Sequence, residues 1–471
     1  MGLKTLFRRL RRSAPPSVRT PAAEGGGRHL DLRIDSSLFS TVRAHVEDFS
    51  RGEEAGFLLC GLSRLDDRDV LLAREWLPVP DSAISRNSRG SVLSWSAKFN
   101  SDALASALDQ NCTLVLVHSH GSARPSFSPD DRKKEKQLFA GLSILADPFP
   151  IGTLLLGDGD ASGSFWLGGS PDGPRFRRLV VLGDHIEHWS AVDHPLARQS
   201  PRVRLDRQSV AIGPMADADL AAARIAVIGL SGGGSHVFQQ LAHMGVGALM
   251  PIDDQLVDET NLGRLVGATT SDIDKTLKVD VAKRLAQGID PAIAVDAVAA
   301  RFPDPAVLEV LKSADLVVSC VDRFDVREGI NAFCRRYLIP HVDIGIEILS
   351  AGERLASADG QVISSLPGQP CMRCWFLTDA LLGAERKHRP PGYDANPDAQ
   401  GDAQVVSMNG VLASEACNTV LDLITGYANG TRGARFWQYD GRIGELVSHP
   451  VAARRASCPA CAEEGFGDPR V

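Results

Sequence analysis

The stretch that decides the fold reads RIAVIGLSGGG and covers residues 224–234. Its first five residues are mostly apolar and β-branched, as in a buried strand. The glycines lead into an apolar segment, His236–Met244, that predicts a helix. A tight turn before a helix N-terminus directs backbone N–H groups and the positive end of the helix dipole at phosphate, although such glycines also serve backbone geometry alone. We therefore expect a parallel α/β domain in which Gly229, Gly232 and Gly234 form a nucleotide-binding turn.

Polar residues that follow the later predicted strands and helices of this domain indicate the type of nucleotide chemistry. The predicted strand Ala248–Ile252 is followed by Asp253, at the acidic position that binds ribose hydroxyls. Basic side chains that converge on phosphates suit attack on an α-phosphate, where negative charge builds, and an Asp at the carboxyl end of a strand suits Mg²⁺. The basic residues are Arg264, in the segment Asn261-Leu262-Gly263-Arg264, and Lys278, which begins a predicted helix that ends at Asp290. The acidic residue is Asp322, which follows the predicted strand Leu316–Ser319. This order favours an adenylating enzyme over a dehydrogenase.

The ordered set resembles the ThiF/MoeB superfamily, which includes the ubiquitin-activating enzymes, over residues 200–471. The lead-in Arg204-Leu205-Asp206-Arg207-Gln208 belongs to the same pattern. The resemblance implies an ATP site with Asp253 on the ribose and with Asn261, Arg264 and Lys278 on the phosphates. It also implies that Asp322 places Mg²⁺, that the domain forms a homodimer and that Arg207 reaches into the partner's nucleotide. The departures are Ser231, Gln255 and Arg323, which stand where Gly, an acidic residue and Asn are common.

Four of the nine cysteines form two Cys-x-x-Cys pairs, Cys371/Cys374 and Cys458/Cys461. The 84 positions from Cys374 to Cys458 exclude a finger closed by short loops. We interpret the pairs as a four-thiolate structural zinc site that fixes the C-terminal segment to the domain. Four ordinary buried thiols are the alternative. The pairs also favour a reducing compartment, so we expect a cytoplasmic protein.

Activating enzymes of this superfamily that pass a ubiquitin-like protein onward carry a nucleophilic cysteine, often in a crossover loop. Residues 375–416 contain no cysteine. Cys417 follows the irregular stretch 383–404, which we expect to be the crossover, and a predicted helix start near it would stabilise a thiolate. Cys417 is therefore the best candidate for a thioester cysteine, and a thiol packed within a helix is the equal alternative.

A second constellation lies in the first half of the chain. The apolar run Thr113–Val117 predicts a buried strand, and it ends in His118-Ser119-His120. Two histidines at i and i+2 on a strand share one face and can reach one ion. Ser128 is a plausible cap of the polar helix that follows, which places Asp131 at the helix start. His118, His120 and Asp131 would leave the fourth position of a tetrahedral zinc to water.

This spacing resembles the JAMM (JAB/MPN) metalloprotease family, whose signature is Glu, then His-x-His, seven residues, Ser, two residues and Asp. By that resemblance an upstream Glu is the general base and Ser128 donates to the developing oxyanion. Glu53 fits the spacing to Gly56, and Glu54 fits the distance to Gly61, so the choice between them stays open with Glu53 preferred. The family usually has Pro after the second His, where this chain has Gly121.

The composition and the irregular stretches between predicted elements indicate the domain organisation. The chain has 471 residues, 44% hydrophobic and 23% charged, with a net charge of −7. These values exclude a membrane, fibrous, secreted or disordered protein and argue against nucleic-acid binding through a general basic field. The ranges that we expect are a basic tail at 1–28, disordered rather than membrane- or partner-binding; an α+β JAMM domain at 29–178; a linker at 179–200; and a Rossmann-like ThiF/MoeB α/β domain at 201–471.

Two such domains in one chain suggest one substrate, the C-terminus of a ubiquitin-like protein. We expect a zinc-dependent (iso)peptidase that processes it and an ATP- and Mg²⁺-dependent adenylation that activates it, with a conjugating enzyme as a further partner. The alternatives are processing and activation of a sulfur-carrier protein for cofactor biosynthesis, and a scaffold with one inactive site.

Overall fold

The computed structural model describes residues 28–48, 50, 53–86, 92–121, 124–192, 202–351, 354–375, 404–428, 433–450 and 452–469. The predicted tail lies outside these residues apart from Arg28, and the predicted crossover lies outside them apart from Gln404. The described residues divide into two compact units.

The first unit is built on a closed barrel with the strand order β1-β3-β2-β6-β7-β8-β10-β9. A separate hairpin, β4–β5, is inserted after β3. The strands are β1 (His29–Asp35), β2 (Ala55–Arg64), β3 (Arg68–Pro78), β4 (Ile84–Arg86), β5 (Val92–Trp95), β6 (Thr113–Ser119), β7 (Ile151–Leu156), β8 (Asp160–Trp166), β9 (Arg175–Leu182) and β10 (Ile186–Ala191). Its helices are α1 (Ser36–Val46), α2 (Ala97–Asp109) and α3 (Pro129–Ala146).

The alternation of side chains along β6 divides the core of this unit into two layers. Val115 and Val117 belong to a cluster that includes residues of α1. Leu114 and Leu116 point to the other face and belong to a cluster with Phe139 of α3. His118 follows in the second row, so the strand directs it to the side of the sheet that carries α3.

Two predicted boundaries of this unit are wrong. Residues 179–191, expected in a linker, lie in β9 and β10, and the register Trp189↔Leu179 places them in the barrel. The end of the chain, expected in the second domain, groups with the barrel from residue 463. Gly467 forms a bridge with Leu62, and Asp468 accepts a hydrogen bond from the Arg64 N–H. Neither segment has a periodicity long enough to identify it in the sequence.

The second unit contains an eight-stranded sheet with the order β13-β12-β11-β14-β15-β16-β17-β18. The pairs from β13 to β15 are parallel, and those from β15 to β18 are antiparallel. The strands are β11 (Arg224–Ile228), β12 (Ala248–Ile252), β13 (Ala294–Val295), β14 (Leu316–Ser319), β15 (His341–Ala351), β16 (Arg354–Ser365), β17 (Phe436–Asp440) and β18 (Glu445–His449). The helices are α4 (Asp206–Ile212), α5 (Pro214–Ala222), α6 (Gly232–Met244), α7 (Lys278–Ile289), α8 (Pro305–Lys312), α9 (Phe324–Arg336), α10 (Val406–Thr425) and α11 (Pro459–Ala462).

The glycine turn joins β11 to α6 as the sequence predicts, but the helix begins at Gly232 rather than at His236. Gly229 adopts φ +83°, a left-handed conformation that favours glycine. A methyl group on Gly234 would lie 1.7 Å from the Gly229 carbonyl oxygen. Only glycine permits this approach, and the N-terminus of α6 therefore lies directly on the carboxyl end of β11.

None of the helices in the described part of the chain is long and apolar enough to span a bilayer.

Candidate functional site

The structure brings His118, His120 and Asp131 together as predicted. Their ligand atoms lie within 4.8 Å of one another. The Nε2 atom of His118 is 3.8 Å from Asp131 Oδ1, and that of His120 is 3.5 Å from Asp131 Oδ2. The three side chains are partly buried; His118 lies in β6, His120 directly follows this strand, and Asp131 lies in the first turn of α3.

The chemistry of these atoms fits a zinc ion. Both ring nitrogens of His118 are buried without a hydrogen-bond partner among the described residues, which is costly unless a ligand uses one of them. Burial lowers the pKa of His118 to about 4, so its ring is neutral near pH 7, as a metal ligand must be. Two imidazoles and a carboxylate form a three-ligand set that leaves one position for water or substrate.

Ser128 is the N-cap of α3, as the sequence predicts. Its hydroxyl accepts a hydrogen bond from the Asp131 N–H at 3.2 Å and donates to Asp131 Oδ2 at 2.8 Å. The Ser128 N–H also donates to Asp131 Oδ2 at 2.8 Å. This capping box fixes the carboxylate and leaves Oδ1 directed at His118. In this conformation Ser128 orients a ligand rather than facing a reacting carbonyl group.

The register of β2 on β6 separates the two candidate bases. Ala55 is paired with His118 in an antiparallel ladder, so Glu53 falls opposite His120 when the ladder is extended by two residues. Glu53 also has the same parity as Ala55, which lies on the α3 side of the sheet. Glu54 has the opposite parity, and its carboxylate lies 4.0 Å from His45 Nε2 of α1. The geometry therefore favours Glu53 at the metal site.

The Gly121 departure has a conformational reason. Gly121 adopts φ +65°, whereas the proline ring fixes φ near −65°. Its N–H also donates to Ser119 Oγ at 3.2 Å, a bond that proline cannot make. The chain after His120 thus follows a path that the usual residue of the family would not allow.

The two cysteine pairs form one buried cluster. Cys371 Sγ lies 3.8 Å from Cys374 Sγ and 3.5 Å from Cys458 Sγ, and Cys374 Sγ lies 3.7 Å from Cys461 Sγ. Sulfur atoms at the corners of a tetrahedron around zinc would be about 3.8 Å apart. Hydrogen bonds within the cluster lower the pKa of Cys371 and Cys458 and raise the pKa of Cys374 and Cys461, as expected for four thiols that compete for the same protons. The cluster has the donor set and spacing of a structural zinc site.

The nucleotide turn collects several predicted residues. Asp253 accepts hydrogen bonds from the Leu230 N–H at 2.8 Å and the Gln255 N–H at 2.9 Å, which places its carboxylate at the turn. Arg264 lies over the same turn, with Nε 3.4 Å from Ser231 Oγ. Ser231, which stands where the family usually has glycine, therefore contacts Arg264, a predicted phosphate ligand.

Two other predicted phosphate ligands are engaged by protein atoms. The Lys278 ammonium, which is 3% exposed, donates to Gln255 Oε1 at 2.6 Å. Asn261 Nδ2 donates to the Asp258 carboxylate at 2.7 Å, and Asn261 Oδ1 accepts from the Asp258 N–H at 3.4 Å. Asn261 thus shapes the loop between β12 and α7, whereas Lys278 has only to exchange one amide oxygen for a phosphate oxygen.

Asp322 and Arg207 are both exposed. Asp322 follows the carboxyl end of β14 at the position predicted for a magnesium ligand. Arg207 lies on α4 and forms no ion pair with another described residue, whereas its neighbours Arg202 and Arg204 both pair with Asp290. An exposed, unpaired arginine is compatible with the predicted role at a dimer interface.

A buried network beneath the Asp322 loop could not be identified in the sequence. Arg327, on α9, forms a bidentate ion pair with Asp343 of β15, in which Nε donates to Oδ1 and the guanidinium also donates to Oδ2. Ser319, the last residue of β14, donates to Asp343 Oδ1 at 2.5 Å and contacts His341 Nε2 at 2.8 Å. A methyl group on Gly345 would lie 2.6 Å from the Arg327 guanidinium. The network connects the end of β14 to β15 and α9 and thereby supports the Asp322 loop.

The structure contradicts the predicted position of Cys417. This residue lies in the middle of α10 rather than near a helix start, and it is 2% exposed. Its thiol faces the Val237 carbonyl oxygen at 3.8 Å, and burial raises its pKa. The sequence suggested a helix start because the irregular stretch before it ends close by, but the helix begins eleven residues earlier, at Val406. Cys417 is a packing residue.

Comparison with known proteins agrees with the class that these sites define, a JAB-type barrel followed by a nucleotide-binding α/β domain. A family model of prokaryotic homologs of the JAB domain matches residues 35–180, and the model of the ThiF family matches residues 205–460. The chain belongs to the ThiF family and carries a JAB domain in front of it. The predicted fusion and fold class are confirmed.

The chain is similar to an activating enzyme and to several adenylyltransferases. The SAMP-activating enzyme E1 of Haloferax volcanii is 33% identical over 181 residues, which are 38% of this chain and 62% of that protein. The sulfur carrier protein ThiS adenylyltransferase of Escherichia coli is 28% identical over 241 residues, 50% of this chain and 85% of that protein. A crystal structure of E. coli MccB with ATP covers 55% of this chain at 21% identity, with a TM-score of 0.44.

Replacement of one cluster cysteine should release one metal ion. We expect Cys458→Ser to lower the zinc content of the purified protein by one equivalent and to lower its unfolding temperature, since three thiolates no longer close the site. Elemental analysis and thermal unfolding measure both effects. Cys334→Ala removes a buried thiol of α9 outside the cluster and should leave the zinc content unchanged. Equal zinc in Cys458→Ser and the unmodified protein would contradict the assignment.

Proposed function

We propose that the second unit adenylates the C-terminal carboxylate of a ubiquitin-like or sulfur-carrier protein. The observation that carries this proposal is the convergence of Asp253 and Arg264 on the Gly229–Gly234 turn, and the names of the relatives, an activating enzyme and sulfur-carrier adenylyltransferases, support it. The backbone N–H groups at the start of α6 would bind phosphate, and Asp253 would accept from the ribose hydroxyls.

The remaining roles follow from charge. Lys278 and Arg264 would stabilise the charge that builds on the α-phosphate while a carboxylate oxygen of the substrate attacks it and pyrophosphate leaves. Asp322 would hold Mg²⁺, which supplies charge neutralisation at the phosphates. Arg207 would reach the nucleotide of a second copy, so the domain is expected to act as a homodimer.

Lys278→Ala should lower ATP–pyrophosphate exchange by about a hundredfold or more, because it removes a buried cation at the phosphates. The assay uses the full chain, Mg²⁺ and ubiquitin-like proteins that end in a free glycine. Lys283→Ala, an exposed residue of the same helix, is the matched control and should exchange at the unmodified rate. The proposal fails if none of the proteins supports exchange or if Lys278→Ala is as active as the control.

The cysteines favour an enzyme that does not form a thioester on its own chain. Beyond the zinc cluster, Cys60, Cys112, Cys334 and Cys417 are buried, and burial raises the pKa of Cys320. The acyl group would therefore pass from the adenylate to a nucleophile of another molecule, with release of AMP. A thiol of a conjugating enzyme would give conjugation; a sulfur donor would give a thiocarboxylate, which is the alternative function.

Cys417→Ala should retain the exchange rate of the unmodified enzyme, because the thiol only packs against α6. With ATP, Mg²⁺ and substrate, intact-mass analysis should detect no reducible adduct on either chain. A reducible adduct on the unmodified chain that disappears in Cys417→Ala would show instead that this cysteine carries the acyl group.

We propose that the barrel unit is a zinc-dependent peptidase. His118, His120 and Asp131 would hold the ion, which would supply Lewis acidity and an acidified water at the scissile carbonyl. Glu53 would take a proton from the attacking water and give it to the leaving amine. Ser128 would donate to the developing oxyanion after releasing Asp131 Oδ2. The intact ligand set argues against the alternative of a scaffold with an inactive site.

The neighbouring glutamates provide a matched pair of variants. Glu53→Gln should lower cleavage of a C-terminal glycine amide substrate by about a hundredfold or more, because it removes the general base, and should retain zinc. Glu54→Gln, whose side chain lies beside His45 of α1, should cleave at a near-normal rate. Initial rates and zinc content are measured on both variants. If only Glu54→Gln loses activity, Glu54 and not Glu53 is the general base.

A further inference from the structure

Arg335 is a buried arginine that lies beside the cysteine cluster. It belongs to the last turn of α9 and is 1% exposed. Its Nη2 atom is 3.9 Å from Cys461 Sγ. One turn earlier on the same helix, Ala332 packs with the four cysteines in one buried cluster. The end of α9 therefore forms one wall of the candidate zinc site.

The other contacts of Arg335 fix the segment that leads into the first cysteine pair. Its guanidinium donates to the backbone carbonyl oxygens of Leu366 and Gln369. Asn331, also one turn earlier on α9, accepts a hydrogen bond from the Met372 N–H at 3.4 Å. One guanidinium thus connects the turn before the first cysteine pair with a sulfur atom of the second pair.

The charge of a loaded site gives this position a chemical role. Four thiolates around one divalent ion leave an excess of negative charge, and the four cysteines are at most 6% exposed. Buried charge is costly unless an opposite charge and hydrogen bonds compensate it. The guanidinium of arginine stays protonated in proteins and carries donors only. Arg335 therefore supplies both forms of compensation at the same atoms.

A backbone contact at the first pair shows the difference between the two forms. The Arg455 N–H group donates to Cys374 Sγ at 3.5 Å. This contact is a hydrogen bond without a formal charge, whereas Arg335 also brings a positive charge to the cluster. Removal of Arg335 should therefore weaken the thiolate-bound state of the site more than the state in which the thiols carry protons.

We propose that Arg335 is the charge-balancing residue of the cysteine site and that its guanidinium holds a thiolate-bound divalent metal in place. The residue acts through the thiolates and does not touch the metal, so it is a positioning residue. The inference adds a residue to the zinc assignment and does not depend on the proposed adenylation.

The test is a titration of the zinc-free full chain with Co²⁺. Thiolate-to-cobalt absorption reports on the cysteine site alone, because His118, His120 and Asp131 offer no sulfur. Arg335→Met should bind Co²⁺ about ten- to hundredfold more weakly than the unmodified protein, the usual effect of losing a contact behind a metal ligand. The absorption band should also move to longer wavelength, since the sulfur loses a hydrogen bond.

The Co²⁺ affinity separates this role from a purely structural one. A variant that weakens the metal-free and the loaded protein equally leaves the affinity unchanged. Lys312→Met is the matched control, because it removes a largely buried cation of the same unit that pairs with Glu309 of its own helix at 2.8 Å. It should bind Co²⁺ as tightly as the unmodified protein.

Equal Co²⁺ affinity in Arg335→Met and the unmodified protein would overturn the inference. If Arg335→Met does not fold, Arg335→Lys decides instead. Its ammonium keeps the charge but cannot reach two carbonyl groups and a sulfur atom in the geometry of a guanidinium, so its affinity should still fall below that of the unmodified protein. An unchanged affinity in this variant would equally contradict the role of Arg335.

Discussion

The contact between Gly234 and the Gly229 carbonyl group is the constraint on which the second unit depends. Because a methyl group would lie 1.7 Å from that oxygen, only glycine lets α6 begin directly on the end of β11. The same methyl group would lie 3.3 Å from Cys320 Cβ, so the loop after β14 is also close. The start of α6 and the loop that carries Asp322 therefore meet at one edge of the sheet. In the barrel, the pairing of Ala55 with His118 has the corresponding role, since it fixes which glutamate can face the metal ligands.

Local signals were sufficient for the elements that carry chemistry. The apolar run before the glycines predicts β11, and the spacing of the His-x-His pair, Ser128 and Asp131 predicts the grouping of two histidines and a carboxylate. The paired cysteines predict a cluster that the structure brings together. Each depends on spacing within a strand, a turn or one helix start. The sequence does not predict the strands β9 and β10, because their short apolar runs lie between turns without a longer periodicity.

Other features depend on contacts between distant segments. The choice between Glu53 and Glu54 needs the register of β2 on β6, because a shift of one residue exchanges the two faces of a strand. Burial of Cys417 depends on the packing of α10 against α6. The ion pair of Arg327 with Asp343 and the contact of Arg335 with Cys461 join segments that no short pattern relates. Sequence reasoning identifies residues suited to a reaction, and only the fold identifies the residues that orient them.

We propose that both units act in turn on one C-terminal tail. In the most direct test, the enzyme is incubated with ATP, Mg²⁺ and a ubiquitin-like protein that carries one residue beyond its terminal glycine. Mass spectrometry then records the product masses over time. The account predicts that the unmodified enzyme removes the extra residue and then adds AMP, whereas Glu53→Gln adds AMP only to protein supplied in trimmed form. Equal adenylation of the extended protein by both enzymes, or no adenylation of the trimmed form, would contradict it.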